Sequence, residues 1–313
     1  MKLYGKRILI MIGTLLIVSF LVFLAFSLIP GDPATARLGT QATPEKVAVL
    51  REEMGLNRPL LIRYFHWVVD FVRGDMGTSY SYSMPVGQII GEKIPITLTM
   101  TIISFLIMLV IAFPLGVYSA KHEGGLIDRI IYTLNQINMS IPPFFLGILF
   151  TYFFGLVLKL FTPGGFVSYT VSISRFFGYL FFPALAIALP KSAMAIKLLR
   201  SSVLSEKNSD YVRTAYSRGN STNGVLYYHV LKNAMLPVIT FLGMTLADMI
   251  AGSIIIEQVF SIPGLGRILL TSISNRDYPV VEAIIVLIAF FVIVINFIVD
   301  IIYQKVDPRI TLE

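Results

Sequence analysis

Six apolar segments of about twenty residues or more run through the 313-residue sequence, separated by more polar stretches. A helix of about 20 apolar residues spans the hydrocarbon core of a bilayer. The composition agrees, since 56% of the residues are hydrophobic and only 14% are charged, fewer than a soluble domain of this length carries. We therefore predict an all-α membrane protein with six transmembrane helices. Their predicted ranges are 8–29, 97–119, 130–158, 176–199, 236–256 and 280–303.

The first apolar segment follows three basic residues, Lys2, Lys6 and Arg7. A cleavable signal peptide has an apolar stretch of about 7–15 residues. This segment is longer, at residues 8–29, and it lacks a small-x-small cleavage site. Residues 1–29 therefore predict an N-terminal tail followed by a retained signal-anchor helix.

The distribution of Lys and Arg predicts the orientation, because these residues favour the cytoplasmic side of a membrane. Residues 191–232 carry seven basic and two acidic side chains, and the N-terminal tail carries three basic ones and no acid. Residues 30–95 carry seven of each sign. We therefore predict that both termini and residues 191–232 are cytoplasmic and that residues 30–95 lie outside. The formal charge of +7 reflects this orientation rather than a nucleic-acid-binding patch.

Residues 30–95 form an extracytoplasmic loop that is too long for a simple connector. Within it, Thr43 is placed to cap one helix, and residues 60–72 predict a second helix rich in aromatic side chains. These helices either form a cap on the ends of the spans or offer a docking surface to an external partner, and the sequence allows both. Residues 96–313 are predicted to form a five-helix core that contains a cytoplasmic loop at 200–236.

Several motifs of catalytic and metal-binding proteins are absent from the sequence. It has no cysteine, and no Gly-x4-Gly-Lys-[Ser/Thr] segment that would cradle the phosphates of ATP. Its three histidines, His66, His122 and His229, are far apart, and no nucleophile has a base at a recognisable spacing. We therefore expect a non-enzyme that binds no metal ion and no cofactor itself. If it moves a solute uphill, the energy comes from elsewhere.

The cytoplasmic loop contains the most specific pattern, Asp-Tyr-Val-Arg-Thr-Ala-Tyr-Ser-Arg-Gly at residues 210–219. Asp210 can cap a short helix, and Gly219 can end it in the left-handed conformation. Arg and aromatic side chains are enriched where proteins meet. The short helix would display such residues together, namely Tyr211, Arg213, Tyr216 and Arg218. By composition alone, a solvated basic loop that obeys the positive-inside rule is an equal alternative.

This segment resembles the EAA loop of ABC-importer permeases, in which an Asp-Tyr-Val-x-x-Ala-x-x-x-Gly core precedes Leu-Pro by about 17 residues. The matching residues here are Asp210, Tyr211, Val212, Ala215, Gly219, Leu236 and Pro237. Other stretches are similar, in order, to segments of the dipeptide/oligopeptide/nickel subfamily. They are residues 43–45, 55–59, 73–79, 263–266, 276–281 and 307–309. Tyr216 departs from the family pattern, in which a small or charged residue is commoner.

The resemblance implies the type I permease fold of ABC importers, with the cytoplasmic loop 200–236 as the coupling loop. It implies a half-channel in the cell membrane that pairs with a second permease subunit. It also implies two ATP-binding-cassette ATPase subunits, which bind ATP and Mg²⁺, and an extracytoplasmic substrate-binding protein. The ATPase-coupling residues implied in this chain are Asp210, Tyr211, Val212, Arg213, Ala215, Arg218 and Gly219. Di- and oligopeptides are the expected cargo, and nickel or a metal chelate is the alternative.

Three polar residues inside the predicted spans are candidates for the translocation pathway, namely Asp248, Lys191 and Asn138. An ionisable side chain in a span is costly unless it faces protein or water. Asp248 lies near the middle of the fifth span and could instead pair with a basic group of the second subunit. Lys191 could extend to the cytoplasmic end of its span, and Asn138 could form an interhelical hydrogen bond. If Asp248 were a proton relay, the chain would be an ion-coupled secondary transporter, a class that needs no coupling loop.

Overall fold

The structure is a computed structural model that describes residues 2–29, 32–39 and 42–306, so the stretch 307–309 lies outside the described residues. The described residues contain no β-strand, and the predicted all-α class is confirmed. The helices are α1 (Lys2–Leu28), α2 (Pro33–Leu38), α3 (Pro44–Glu53), α4 (Leu60–Val72), α5 (Val86–Gly91), α6 (Ile94–Lys121), α7 (Leu126–Ser140), α8 (Pro143–Phe150), α9 (Ile173–Lys207), α10 (Asp210–Ser217), α11 (Thr222–Gly224), α12 (Leu231–Val259), α13 (Leu265–Ser274) and α14 (Tyr278–Val306). Two π-helical segments, Thr151–Val157 and Val225–Val230, follow α8 and precede α12.

Within the described part of the chain, five helices are long and apolar enough to cross a membrane, namely α1, α6, α9, α12 and α14. A sixth crossing would combine α7 with α8 and its π-helical extension, which meet at 97°. The break falls at Pro142 and Pro143, because proline lacks the backbone N–H and disfavours a helical residue before it. The third predicted span is therefore not one straight helix. The count of six and the orientation of the termini stay predictions.

The chain divides into two compact units. The first unit consists of Met1–Ile96 and Pro263–Ile293, and the second of Thr97–Ile262 and Val294–Glu313. The division predicted from the sequence, into residues 1–29, 30–95 and 96–313, follows membrane topology instead of compactness and stays a prediction.

In the first unit, α4 packs along α1 through its aromatic face. The Tyr64 hydroxyl lies 2.9 Å from the Leu16 carbonyl, to which it donates, and 2.8 Å from the Ser19 hydroxyl. The Trp67 ring lies 5.8 Å from the ring of Phe23. Because Ser19 precedes the end of α1 by nine residues, about 14 Å of helix, the contact of α4 with α1 reaches from the C-terminal part of α1, at Phe23, to its middle. Phe65 of α4 remains 67% exposed, and a docking surface stays a prediction.

Two stretches of the first unit that were singled out in the sequence, 73–79 and 276–281, meet at a buried carboxylate. Asp277 accepts hydrogen bonds from the Ser79 hydroxyl at 2.5 Å and from the backbone N–H groups of Tyr80 and Ser81 at 2.9 and 3.2 Å. A buried carboxylate is stable only when its oxygens are satisfied in this way. These bonds fix the chain at the N-terminal end of α14.

In the second unit, α9 packs against α7, α8 and α12. Small side chains let these helices approach closely. A Cβ atom on Gly116 of α6 would lie 2.9 Å from the Leu199 side chain of α9. A Cβ atom on Gly243 of α12 would lie 2.3 Å from Val299 of α14, a separation that real Cβ atoms do not show. Glycine at these two positions therefore sets the distance between the helices.

Candidate coupling site

The short helix predicted in the cytoplasmic loop is α10. Its N-cap is Ser209, which has extended backbone, and Asp210 is the first helical residue. The expectation that Asp210 caps the helix is therefore wrong. Its carboxylate instead lies in the first turn, where negative charge is favourable to the helix dipole. The helix ends before Gly219, whose φ of +82° is the left-handed conformation predicted for it.

One face of α10 is buried in the second unit. Val212 and Ala215 are 3% and 6% exposed. Both belong to a hydrophobic cluster that joins α10 to α6, α9 and the start of α12. The other buried members are Val117, Ala120, Leu199, Val203, Val225, Leu226, Val230, Ala234 and Val238. The buried face of α10 is therefore in contact with three other helices of the second unit.

Tyr211 connects α10 to the C-terminal end of α9 through a hydrogen bond. It is half-buried, and its hydroxyl donates a hydrogen bond to the Glu206 carboxylate at 2.6 Å. Burial raises the pKa of Tyr211 above its ordinary value, and the hydrogen bond to Glu206 raises it further. The phenol therefore stays protonated, and remains a donor, throughout the physiological range of pH.

The opposite face of α10 is exposed. Its charged and aromatic residues, here called the outer face, are Asp210, Arg213, Tyr216 and, directly after the helix, Arg218. Arg213 Nη1 lies 3.8 Å from Asp210 Oδ1, and the two side chains are 81% and 99% exposed, so this ion pair adds little stability. The structure thus separates the seven predicted coupling residues by position. Three face inward, three lie on the outer face, and Gly219 ends the helix.

Sequence reasoning missed a charge cluster that lies beneath this region. Asp128, in the first turn of α7, is 3% exposed and accepts hydrogen bonds from Arg200 Nε and Nη2, each at 2.8 Å. The Ser119 hydroxyl and the backbone N–H of Gly124 also donate to it. Paired N–H···O bonds of this type fix geometry as well as charge. The cluster therefore joins the C-terminal end of α6 and the first turn of α7 to α9.

The pathway candidates Lys191 and Asp248 form an ion pair with each other, between α9 and α12. Lys191 therefore does more than extend to the membrane surface, and Asp248 has a basic partner within its own chain. A contact of Asp248 with a second subunit stays a prediction. The Asp248 side chain is 60% exposed. It continues an exposed stripe of α12 with Thr240, Met244 and Gly252. A charged group exposed on a span is costly against lipid, so this stripe is expected to face protein or water.

Asn138 is the third pathway candidate, and its hydrogen bond is interhelical. Its side-chain Nδ2 donates to the Leu189 carbonyl at 3.5 Å, from α7 to α9. Asn138 is half-buried, so it is less accessible than Asp248. Its geometry is that of a packing contact between two helices.

Nearly the whole length of the chain is similar to known proteins. Residues 112–312 match the family described as binding-protein-dependent transport system inner membrane component, and residues 1–101 match its N-terminal family. The probable peptide ABC transporter permease protein y4tP of Sinorhizobium fredii is 35% identical over 305 residues, 97% of each chain. The glutathione transport system permease protein GsiC of Salmonella choleraesuis is 36% identical, also over 97% of each chain.

The fold is also found among solved structures. A chain of the MetNI methionine ABC transporter, in an inward-facing conformation, aligns with a TM-score of 0.56 and 18% sequence identity. The alignment covers 70% of this chain and 96% of that one.

Proposed function

Because the chain belongs to the family of binding-protein-dependent transport system inner membrane components, we propose that it forms half of the pathway through which an ABC importer admits di- and oligopeptides. Members of this family are multi-pass, non-catalytic permease subunits of the cell membrane, and this description applies to the chain. Peptide cargo is supported by relatives whose names specify peptide and glutathione transport. These names favour peptide over nickel as the cargo.

The proposed partners follow from what the chain supplies and lacks. A second permease subunit completes the pathway, and an extracytoplasmic binding protein delivers the peptide. Two ATPase subunits bind ATP and Mg²⁺, since this chain has no motif that would cradle the phosphates. We propose that the exposed stripe of α12 that carries Asp248 faces the pathway or the second permease subunit.

The observation that carries the proposal is the two-sided geometry of α10. Its outer face offers charged and aromatic side chains, while Val212 and Ala215 lock its other face to α6, α9 and α12. A subunit that grips the outer face can therefore move those spans as one packed body. An ion-coupled secondary transporter would have no use for this arrangement.

The proposal predicts that Arg213→Glu and Gly219→Asp abolish ATP-driven peptide uptake while the protein still inserts into the membrane. The first reverses a charge on the outer face, and the second forces an unfavourable φ on a non-glycine residue. Uptake by the reconstituted transporter is measured together with the amount of chain in the membrane. The matched control is Arg129→Glu, a charge reversal at an exposed position of α7. Normal uptake by both variants would contradict the proposal.

A further inference from the structure

A cavity of about 380 Å³ opens within the first unit, where the C-terminal end of α1 and the N-terminal end of α14 meet α3 and α4. Ligand-binding cavities have volumes of about 300–1,000 Å³, so this one is large enough for a small solute. Charged side chains of both signs line it, namely Asp32, Arg51, Arg63 and Glu282. Aromatic rings complete the wall, among them Phe26, Tyr80 and Tyr278.

Glu282 faces this cavity without a partner. It lies one turn inside α14, and it makes no hydrogen bond or ion pair within the part of the chain that the structure describes. The charge of Arg63 acts on Glu282, but the two groups do not form an ion pair. A partly buried carboxylate that lines a cavity without a protein partner offers a site for a cation, whose charge would offset the cost of its burial.

Arg63 is available to an anion in the same cavity. Its guanidinium lies over the Phe23 ring, 5.7 Å from the centroid, and it makes no ion pair in the described ranges. Arg51 differs, because its Nη1 is paired with Asp32 Oδ1 at 3.2 Å. The cavity therefore holds one free acceptor and one free donor of opposite charge.

The aromatic wall suits the cationic end of a ligand. Ammonium groups bind the faces of aromatic rings, most strongly where water is excluded. Burial raises the pKa of Tyr80, and the negative charges of Glu282 and Asp277 raise it further. The Tyr80 hydroxyl therefore remains neutral and does not compete with Glu282 as an anion.

We propose that this cavity binds a small zwitterion, with a primary ammonium group at Glu282 and a carboxylate or phosphate at Arg63. A free peptide and the headgroup of phosphatidylethanolamine both have this chemistry. Only residues of the first unit form the site, and its occupancy does not depend on the proposed coupling role.

The single tryptophan of the chain provides the measurement. Trp67 lies 5.8 Å, centroid to centroid, from Phe23, which lines the cavity. The full chain is placed in phosphatidylcholine nanodiscs, and Trp67 fluorescence is followed as glycylglycine or N-acetyl-glycylglycine is added. A second preparation contains phosphatidylethanolamine without peptide. We expect a saturable response to glycylglycine or a shift with phosphatidylethanolamine, and no response to the acetylated peptide.

Variants assign the response to the two charged groups. Glu282→Gln removes the charge that holds the ammonium group and should weaken binding about tenfold or more. Glu92→Gln is the matched control, since that carboxylate side chain is 80% exposed outside the cavity, and it should bind as the native chain does. Arg63→Met should weaken binding of glycylglycine but not of glycylglycine amide, which lacks the carboxylate.

Three results would overturn the proposal. They are the absence of any saturable response to both zwitterions, equal binding of the acetylated peptide, and an unchanged response in a folded Glu282→Gln variant. A response to phosphatidylethanolamine that glycylglycine does not displace identifies the lipid as the occupant and supports the site. None of these outcomes bears on ATP-driven uptake, so failure here and failure of the proposed function are distinguishable.

Discussion

Asp128 is a buried carboxylate whose hydrogen bonds connect α6, α7 and α9. Its two oxygens receive the paired bonds of Arg200 together with bonds from Ser119 and Gly124. A charge this deeply buried is tolerated only while its partners remain in place. This charge cluster contains no predicted coupling residue. Leu199, however, is the neighbour of Arg200 in the sequence, and it packs in the hydrophobic cluster that includes Val212 and Ala215 of α10.

Asp128→Ala should destabilise the protein by about 3 kcal/mol, because it leaves the Arg200 guanidinium without its partner. Arg200→Met should have a similar cost, since it leaves the Asp128 carboxylate unpaired. Removing both charges in one variant should cost less than the sum of the single changes. Denaturant-induced unfolding in detergent micelles measures all three, with the exposed Asp210→Ala as the control. Strict additivity of the single changes would contradict the coupling between these two side chains.

Tyr211→Phe removes one hydrogen bond, from the phenol to Glu206, and should lower stability by about 1 kcal/mol. Since the folded-state pKa of Tyr211 is raised, its contribution is fully present below pH 10 and is lost only as the pH rises through that higher value. The difference in stability between the native chain and the variant should therefore stay constant between pH 6 and 9. A difference that disappears within this range would show that another group is responsible.

At the scale of helices, the contact between α12 and α14 depends on the missing side chain of Gly243. Gly243→Ala places a methyl group 2.3 to 2.4 Å from the methyl groups of Val299, so the two helices must separate. We expect a loss of about 1–3 kcal/mol, typical of overpacking, and recovery when Val299→Ala is combined with it. Gly252→Ala, in the same helix with no atom within 4 Å, should be neutral. Thermal unfolding of these three variants and of the native chain provides the comparison, and equal effects of Gly243→Ala and Gly252→Ala would contradict the close contact.

Local signals predicted several elements closely. The bounds of α4 agree with the predicted helix at 60–72, and Thr43 caps α3 by accepting a bond from the Lys46 N–H at 3.4 Å. Gly219 ends α10 in the left-handed conformation. In each case the determinant lies within a few residues of the element, as apolar periodicity, a capping hydroxyl or a glycine.

The features that the sequence did not predict depend on contacts between residues that are far apart in the sequence. The partners of the Asp128–Arg200 pair are 72 residues apart, and those of the Lys191–Asp248 pair are 57 apart. No periodicity in the sequence relates such positions. The sequence predicts one span over 130–158, and the 97° bend at Pro142 and Pro143 divides it into α7 and α8, which both pack on α9. The depth at which α4 meets α1 is likewise a tertiary property.

At the scale of the whole molecule, the low share of charged residues and the clustering of the basic ones both fit a membrane-embedded subunit. Most of the chain is apolar because it lies in a bilayer, and seven of its 25 basic residues lie within 191–232. That segment contains α10, the element that we propose connects the spans to an ATPase. A permease subunit in this arrangement supplies the passage and takes its energy from a partner.

The most direct test of this arrangement is photo-crosslinking from α10 in the native cell membrane. A benzophenone side chain replaces Tyr216, which is 44% exposed on the outer face, and in a control chain it replaces Tyr152, which is 61% exposed in a candidate span. Mass spectrometry identifies the adducts. We predict that position 216, and not position 152, crosslinks to a subunit that carries a Gly-x4-Gly-Lys-[Ser/Thr] motif. Crosslinking from position 216 to no such subunit, in membranes that still transport peptide, would contradict the proposed coupling.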